Sequence, residues 1–119
     1  MGMQYEVEQR SGYAVVRARG EPTLAEFIAF LQEIGAQTPR WPGDSLLFDL
    51  RGIRTLTTFT EHYAVGQEAV RQLRHLRRVA SVVPADRITR ASEKTARQAG
   101  MDLTVFTDEG EAVAWLEER

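Results

Sequence analysis

A chain of 119 residues is long enough to bury about two-thirds of the surface its unfolded form exposes, so one domain over residues 1–119 is expected. With 43% apolar and 27% charged residues, a net charge of −2 and no cysteine, the composition excludes disulfides, thiol nucleophiles and cysteine-bound metals, and offers no general attraction to nucleic acid or acidic membranes. No apolar run approaches the roughly 20 residues of a membrane span, and Met1-Gly2-Met3-Gln4-Tyr5-Glu6 lacks the basic start and apolar core of a signal peptide, so a cytoplasmic location is expected.

Gln4 to Gln9 alternates, with Tyr5 and Val7 on one side and Gln4, Glu6 and Glu8 on the other, the pattern of a strand with one wet face. Arg10-Ser11-Gly12 signals a turn and Tyr13 to Arg19 a second strand, so the two form an antiparallel hairpin. After the break at Gly20-Glu21-Pro22, Thr23-Leu24-Ala25-Glu26 is a capping box, in which hydroxyl and carboxylate each satisfy an orphan backbone N–H. Leu24, Phe27, Ile28, Leu31 and Ile34 follow at helical spacing, and Gly35 is placed to close that helix. Pro39, Trp41, Pro42 and Gly43 read as a loop whose tryptophan lids the core.

Ser45 to Leu50 is nearly all apolar before Asp49, as in a strand buried on both faces, and Arg51 to Arg54 reads as a polar turn. Thr58-Phe59-Thr60-Glu61 is a second capping box, opening a helix to Leu73 or Arg74 with Tyr63, Val70 and Leu73 turned inward. Val79 to Val83 is another buried strand. Asp86 or Arg87 opens a third helix through Ile88, Ala91, Thr95 and Ala99, its inward face made of small residues and its end marked by Gly100. Leu103 to Phe106 is a last strand, and Asp108 with Glu111 caps a final helix carrying Ala112, Trp115 and Leu116. The order β-β-α-β-α-β-α-β-α gives an α/β fold: a mixed five-stranded sheet with an N-terminal antiparallel hairpin and three parallel strands joined by right-handed crossovers.

The order of elements and several local motifs resemble the SpoIIAA-like or STAS superfamily of anti-sigma-factor antagonists. Its strand–loop–helix signature, approximately Asp-Leu-x-Gly-Val-x-x-Ile-Asp-Ser-Ser-Gly, has its ungapped counterpart in Asp49-Leu50-Arg51-Gly52-Ile53-Arg54-Thr55-Leu56-Thr57-Thr58-Phe59-Thr60. The first half matches. In the second, Thr57 stands for the aspartate, Phe59 for the second serine and Thr60 for the glycine, while Thr58 falls on the serine that such antagonists present for phosphorylation. Arg78 to Val83, and Val105-Phe106 followed by Glu111 to Leu116, resemble the branch grouped with CRAL-TRIO-type lipid carriers. The resemblance implies a SpoIIAA-like domain that regulates by binding a protein or itself, with a homodimer among the expected assemblies. It also implies an alternative, a carrier of a small hydrophobic ligand or lipid with Trp41, Phe59, Tyr63 and Trp115 lining a cleft.

The junction between the third strand and second helix is where such a domain would place its chemistry, and Arg54, Thr57, Thr58, Phe59 and His62 are the candidate binding or regulatory residues. A phosphate on Thr58 would sit at a helix N-terminus and add up to about two negative charges, although a capping role alone explains the residue. Arg71, Arg74, His75, Arg77 and Arg78 form a dense basic run, read as cations complementing a helix C-terminus and not as a nucleic-acid site. His62 and His75 lie too far apart to share a metal, and no ligand spacing is present, so no metal and no cofactor are expected. Thr58 with His62 offers a local hydroxyl and base, but internal threonine rarely serves as a nucleophile, so no enzymatic activity is expected.

Overall fold

Apolar residues recurring every second position build strands, and those recurring near every 3.6 build one-sided helices. The computed structural model, which describes residues 2–87 and 91–118, realises both patterns. Its strands are β1 (Met3–Arg10), β2 (Tyr13–Gly20), β3 (Ser45–Ile53), β4 (Arg78–Val82) and β5 (Leu103–Phe106). Its helices are α1 (Leu24–Gln37), α2 (Phe59–Leu73), α3 (Ala91–Gln98) and α4 (Glu109–Glu117), with short 3-10 turns at Thr38–Arg40 and Ala85–Arg87.

The sheet order is β1-β2-β3-β4-β5. The Ser11-Gly12 turn, with Gly12 at φ +87°, folds β1 antiparallel on β2, and every later pair is parallel. Strand order therefore follows chain order, and crossovers of one hand put successive helices on the same side of the sheet. Helices α1, α2 and α3 bury Phe27, Phe30, Leu31, Ile34, Ala69, Leu73 and Ala96 against Ala14, Val16, Leu46, Phe48, Val79 and Val105. Among the described residues, helix α4 alone covers the opposite face, where Ala112 and Leu116 meet Tyr13, Val15, Leu47, Ala80 and Val82. Central strand β3 is buried from Ser45 to Asp49, as its unbroken apolar run requires.

Four local details differ from the sequence reading. Strand β3 continues through Arg51-Gly52-Ile53 because Gly52 and Ile53 pair with Arg19 and Gly20 of β2, after a register shift between Arg17 and Arg19. Helix α1 runs past Gly35 to Gln37, and Phe30 is buried where Ile28 is only half-buried. Helix α2 turns Gly66, Glu68, Ala69 and Leu73 inward, leaving Val70 half-buried and Tyr63 exposed. Asp86 and Arg87 lie in a 3-10 turn, α3 is described from Ala91, and Ile88 lies outside the described residues. The small inward face expected of α3 is present, with Ala96 buried and Ser92 and Thr95 against Gly66 of α2.

Gly35 is required by contact with α2: a Cβ there would fall 2.8 Å from the Gln72 Cβ and 3.0 Å from its carbonyl oxygen. Gly35→Ala should therefore lower stability by on the order of 1–2 kcal/mol in denaturant unfolding, overpacking outweighing the gain in helix propensity. An unchanged midpoint would mean that α1 and α2 are farther apart than described.

Candidate functional site

The β3–α2 junction is fastened at both ends. At its base the Arg54 N–H donates to Gly20 O at 3.0 Å, and the Thr55 hydroxyl donates to Pro22 O at 2.5 Å. At its top Thr58 caps α2: its Oγ1 accepts from the Glu61 N–H at 3.2 Å and donates to Glu61 Oε1 at 2.9 Å, while that oxygen accepts the Thr58 N–H at 3.1 Å. Between these anchors Leu56 has φ +65°, in the left-handed region, where a leucine costs about 1–3 kcal/mol. The half-buried Leu56 side chain packs against the core under α1, α2 and α3, which offsets that strain.

Beneath the junction lies a cavity of about 470 Å³. Its floor is the carboxyl end of the sheet, from Phe48, Leu50 and Ile53 of β3 to Leu103 and Val105 of β5, with Ser81 and Val83 between. Phe27 and Leu31 of α1 and His62, Val65 and Ala69 of α2 form its walls. Thr55, Leu56, Thr57, Pro84, Asp86 and Ser92 complete the rim. Burial pushes the His62 imidazole below the ordinary 6.5, against the opposing pull of the Glu61 carboxylate and of the Leu56 backbone.

The candidate residues thus divide. Thr57 and His62 face the cavity. Thr58 is an exposed cap whose hydroxyl is engaged by Glu61 and not by His62, so the hydroxyl–imidazole pair needed for nucleophilic chemistry is not assembled. Phe59 is 70% exposed and lies nearly parallel to the 45% exposed Tyr63, ring centroids 6.5 Å apart, so both look outward. Arg54 sits apart, in a shallow cleft with Arg19, Gly20 and Gly52. The four aromatics expected to line a cleft do not: Trp41 packs at the core margin, Trp115 of α4 packs at a tilt on Phe106, and Phe27 and Phe48 line the cavity instead.

On the other face, Asp49 is 8% exposed and receives Arg17 Nη1 at 2.7 Å and Arg51 through Nε and Nη2, both at 2.9 Å. The same two arginines grip Glu109, in the first turn of α4, at 2.7 to 2.9 Å. Burial raises the Asp49 pKa, but hydrogen bonds from Arg51 and Arg17 outweigh it and hold the carboxyl below its ordinary range. The hydrogen bonds from Arg17 likewise lower Glu109. The basic run also has structural employment. Arg77 and Arg78 donate to the carbonyls of Leu116 and Trp115 at the C-terminus of α4, Arg78 also lies 4.8 Å over the Trp115 ring, and His75 Nε2 is 2.8 Å from the Thr38 hydroxyl. Sequence reading missed Glu68, a buried carboxylate bound by Arg71, Gln72 and Gln32; no local signal marks it. Among the described residues no helix is long and apolar enough to cross a membrane, and no group of acidic, histidine or cysteine side chains is placed to hold a metal.

A family model described as SpoIIAA-like matches residues 13–117. Among solved structures the chain is similar to an anti-sigma factor antagonist from Mycobacterium paratuberculosis, with a TM-score of 0.63 at 18% identity over 98% of this chain and 96% of that one. It is also similar to an uncharacterized protein of the DUF3478 family with a SpoIIAA-like fold from Shewanella loihica, with a TM-score of 0.55 at 16% identity over 97% and 93% of the two chains. No curated protein sequence matches it.

Thr58→Ala removes one cap and should cost about 1 kcal/mol in denaturant unfolding; no loss would mean that the capping box does not form in solution. Asp49 and Glu109 titrate below their ordinary values, so their stabilisation is complete above those values and is lost as pH falls through the depressed ones. Thermal melts between neutral pH and pH about 2 should fall most steeply in that acid range, and Asp49→Asn should flatten the drop.

Proposed function

The chain belongs to the SpoIIAA-like family, and from that premise we propose that it is a non-enzymatic regulatory module that acts by binding a protein partner or a second copy of itself through the outer surface of the β3–α2 junction. The observation that carries this reading is the Phe59–Tyr63 pair, two large aromatics stacked in water on the first turns of a capped helix. Burying such rings against a partner contributes more than almost any other side-chain contact, and the capped helix holds them in place beforehand. Thr58 stands at the edge of this surface. A phosphate on it would lie against the Glu61 carboxylate that now receives its hydroxyl, so modification would dismantle the capping box and reshape the patch. The same fold in an anti-sigma factor antagonist supports a regulatory role, and an intracellular setting goes with it.

A second reading is favoured by the cavity: the domain holds a small hydrophobic ligand under the same junction. A space of about 470 Å³ with a mostly apolar lining is within the ordinary range for small-molecule sites, roughly 300–1,000 Å³. The likeness of the C-terminal half to CRAL-TRIO-type carriers supports this reading too.

Two measurements separate the readings. Phe59→Ala with Tyr63→Ala should leave the melting temperature within a few degrees of wild type and weaken partner capture or self-association by about thirtyfold, the equivalent of one hot-spot pair. Full retention of binding would remove the first reading. Mass spectrometry of solvent extracts from protein purified under native conditions should detect a stoichiometric apolar compound if the second holds, and a clean extract counts against it.

A further inference from the structure

Resting on the reading of the outer junction surface as a binding face, we propose that its partner is a second copy of this chain, docked antiparallel so that the aromatic end of α2 in each copy lies on the basic end of α2 in the other. Helix α2 is the middle of three on its face of the sheet, with Gln32 and Gly35 of α1 against one flank and Ser92 and Thr95 of α3 against the other. Away from the buried Gly66, Glu68, Ala69 and Leu73 it presents Phe59, Tyr63, Gln67, Val70 and Arg74, all exposed except the half-buried Val70. Those positions recur at helical spacing, so they form one stripe, about 22 Å long at a rise of about 1.5 Å per residue.

The ends of the stripe are chemically opposite and attract each other. Phe59 and Tyr63 offer ring faces, which are electron-rich, and Arg74 offers a planar cation that stacks on such faces. Arg74 Nη2 donates to Ala99 O at 3.0 Å, which anchors the guanidinium over the seam between α2 and α3 while the residue stays exposed. Arg71 beside it is already paired with buried Glu68 at 2.7 Å, so an acidic partner would compete with Glu68 for that charge. A reversed copy needs no such competition. With the two-fold axis beside Gln67, Phe59 and Tyr63 of each copy reach Arg74 and Val70 of the other, and the contact is made twice. The Gln67 amide, which donates to the Tyr63 hydroxyl at 3.3 Å, has a second N–H and a carbonyl oxygen with which to meet its counterpart on the axis. Parallel pairing would instead set Arg74 against Arg74.

Sedimentation equilibrium over a concentration series should show a reversible monomer–dimer equilibrium. Phe59→Ala with Tyr63→Ala, and separately Arg74→Glu, should each weaken the dimer by about thirtyfold, because each change strikes both copies of the contact. An equimolar mixture of the two variants should associate only about fivefold more weakly than wild type, since the heterodimer restores one of two equivalent contacts. Should Arg74→Glu lower the melting temperature by more than a few degrees, Arg74→Gln replaces it, with a loss of about fivefold in its own dimer. A wild-type chain that stays monomeric at every concentration overturns the dimer and leaves the surface to a different protein. A dimer weakened by the aromatic changes but not at Arg74, or a mixture no tighter than its components, overturns the antiparallel arrangement while the binding face stands. A dimer indifferent to all of these changes removes both.

Discussion

The constraint on which the molecule depends is that its strands lie side by side in the order in which they are made. With right-handed crossovers, strands added always on the same side place every connecting helix on one face. Doubly wound sheets create a ligand crevice where the strand order reverses; this sheet has no such reversal. The candidate site is instead formed within one face, where the carboxyl ends of β3, β4 and β5 meet the walls of α1 and α2 and the loop entering α2. The cavity lies there, and the junction loop is its roof on one side and the outward surface on the other. A protein partner and a small ligand would read opposite sides of the same short segment.

The Asp-Leu-x-Gly half of the signature serves architecture. Side chains alternate along β3, so Asp49 points to the α4 face, where Arg17 and Arg51 join it to Glu109 and fix the start of that helix. Gly52 lies just after the extra residue by which β3 bulges against β2, and a Cβ there would fall 2.9 Å from that of Arg19. The second half, Arg54 to Thr60, builds the junction itself, and it is there that this chain departs from the anti-sigma-factor-antagonist pattern. Threonine at position 58 keeps the cap. Phenylalanine at 59 exchanges a small hydroxyl for a large exposed ring, which shifts the surface from one that a phosphate would dominate toward one that apolar contact would dominate.

Much of this was legible in the sequence because the signals were local. Alternation marked the first strand and short apolar runs the later ones, Thr23 and Thr58 announced their capping boxes, and the order of elements gave the mixed sheet and its antiparallel hairpin. The phase of α2 was not legible, because a stripe of large residues suggested Tyr63 inward, while close approach to α3 selects Gly66 and Ala69 for the buried side. Nor was the cavity. It depends on residues as distant as Phe27, Val65 and Val105 failing to fill a common space, which no window of sequence reports. The left-handed Leu56 is invisible for a related reason: nothing about leucine favours that conformation, and only the anchors at Arg54, Thr55 and Thr58, with core packing on its side chain, impose it.

A ligand can enter beneath the junction only if the space there is apolar and reachable from solution. Xenon fills dry apolar cavities and makes no demand on polar chemistry, so diffraction from a crystal equilibrated under xenon pressure tests it directly. The account predicts a xenon atom among Phe48, Leu50, Val65 and Val105, with the Arg54–Thr58 backbone unmoved. A xenon-free core, with α2 closed onto β3 and those side chains in mutual contact, would contradict it.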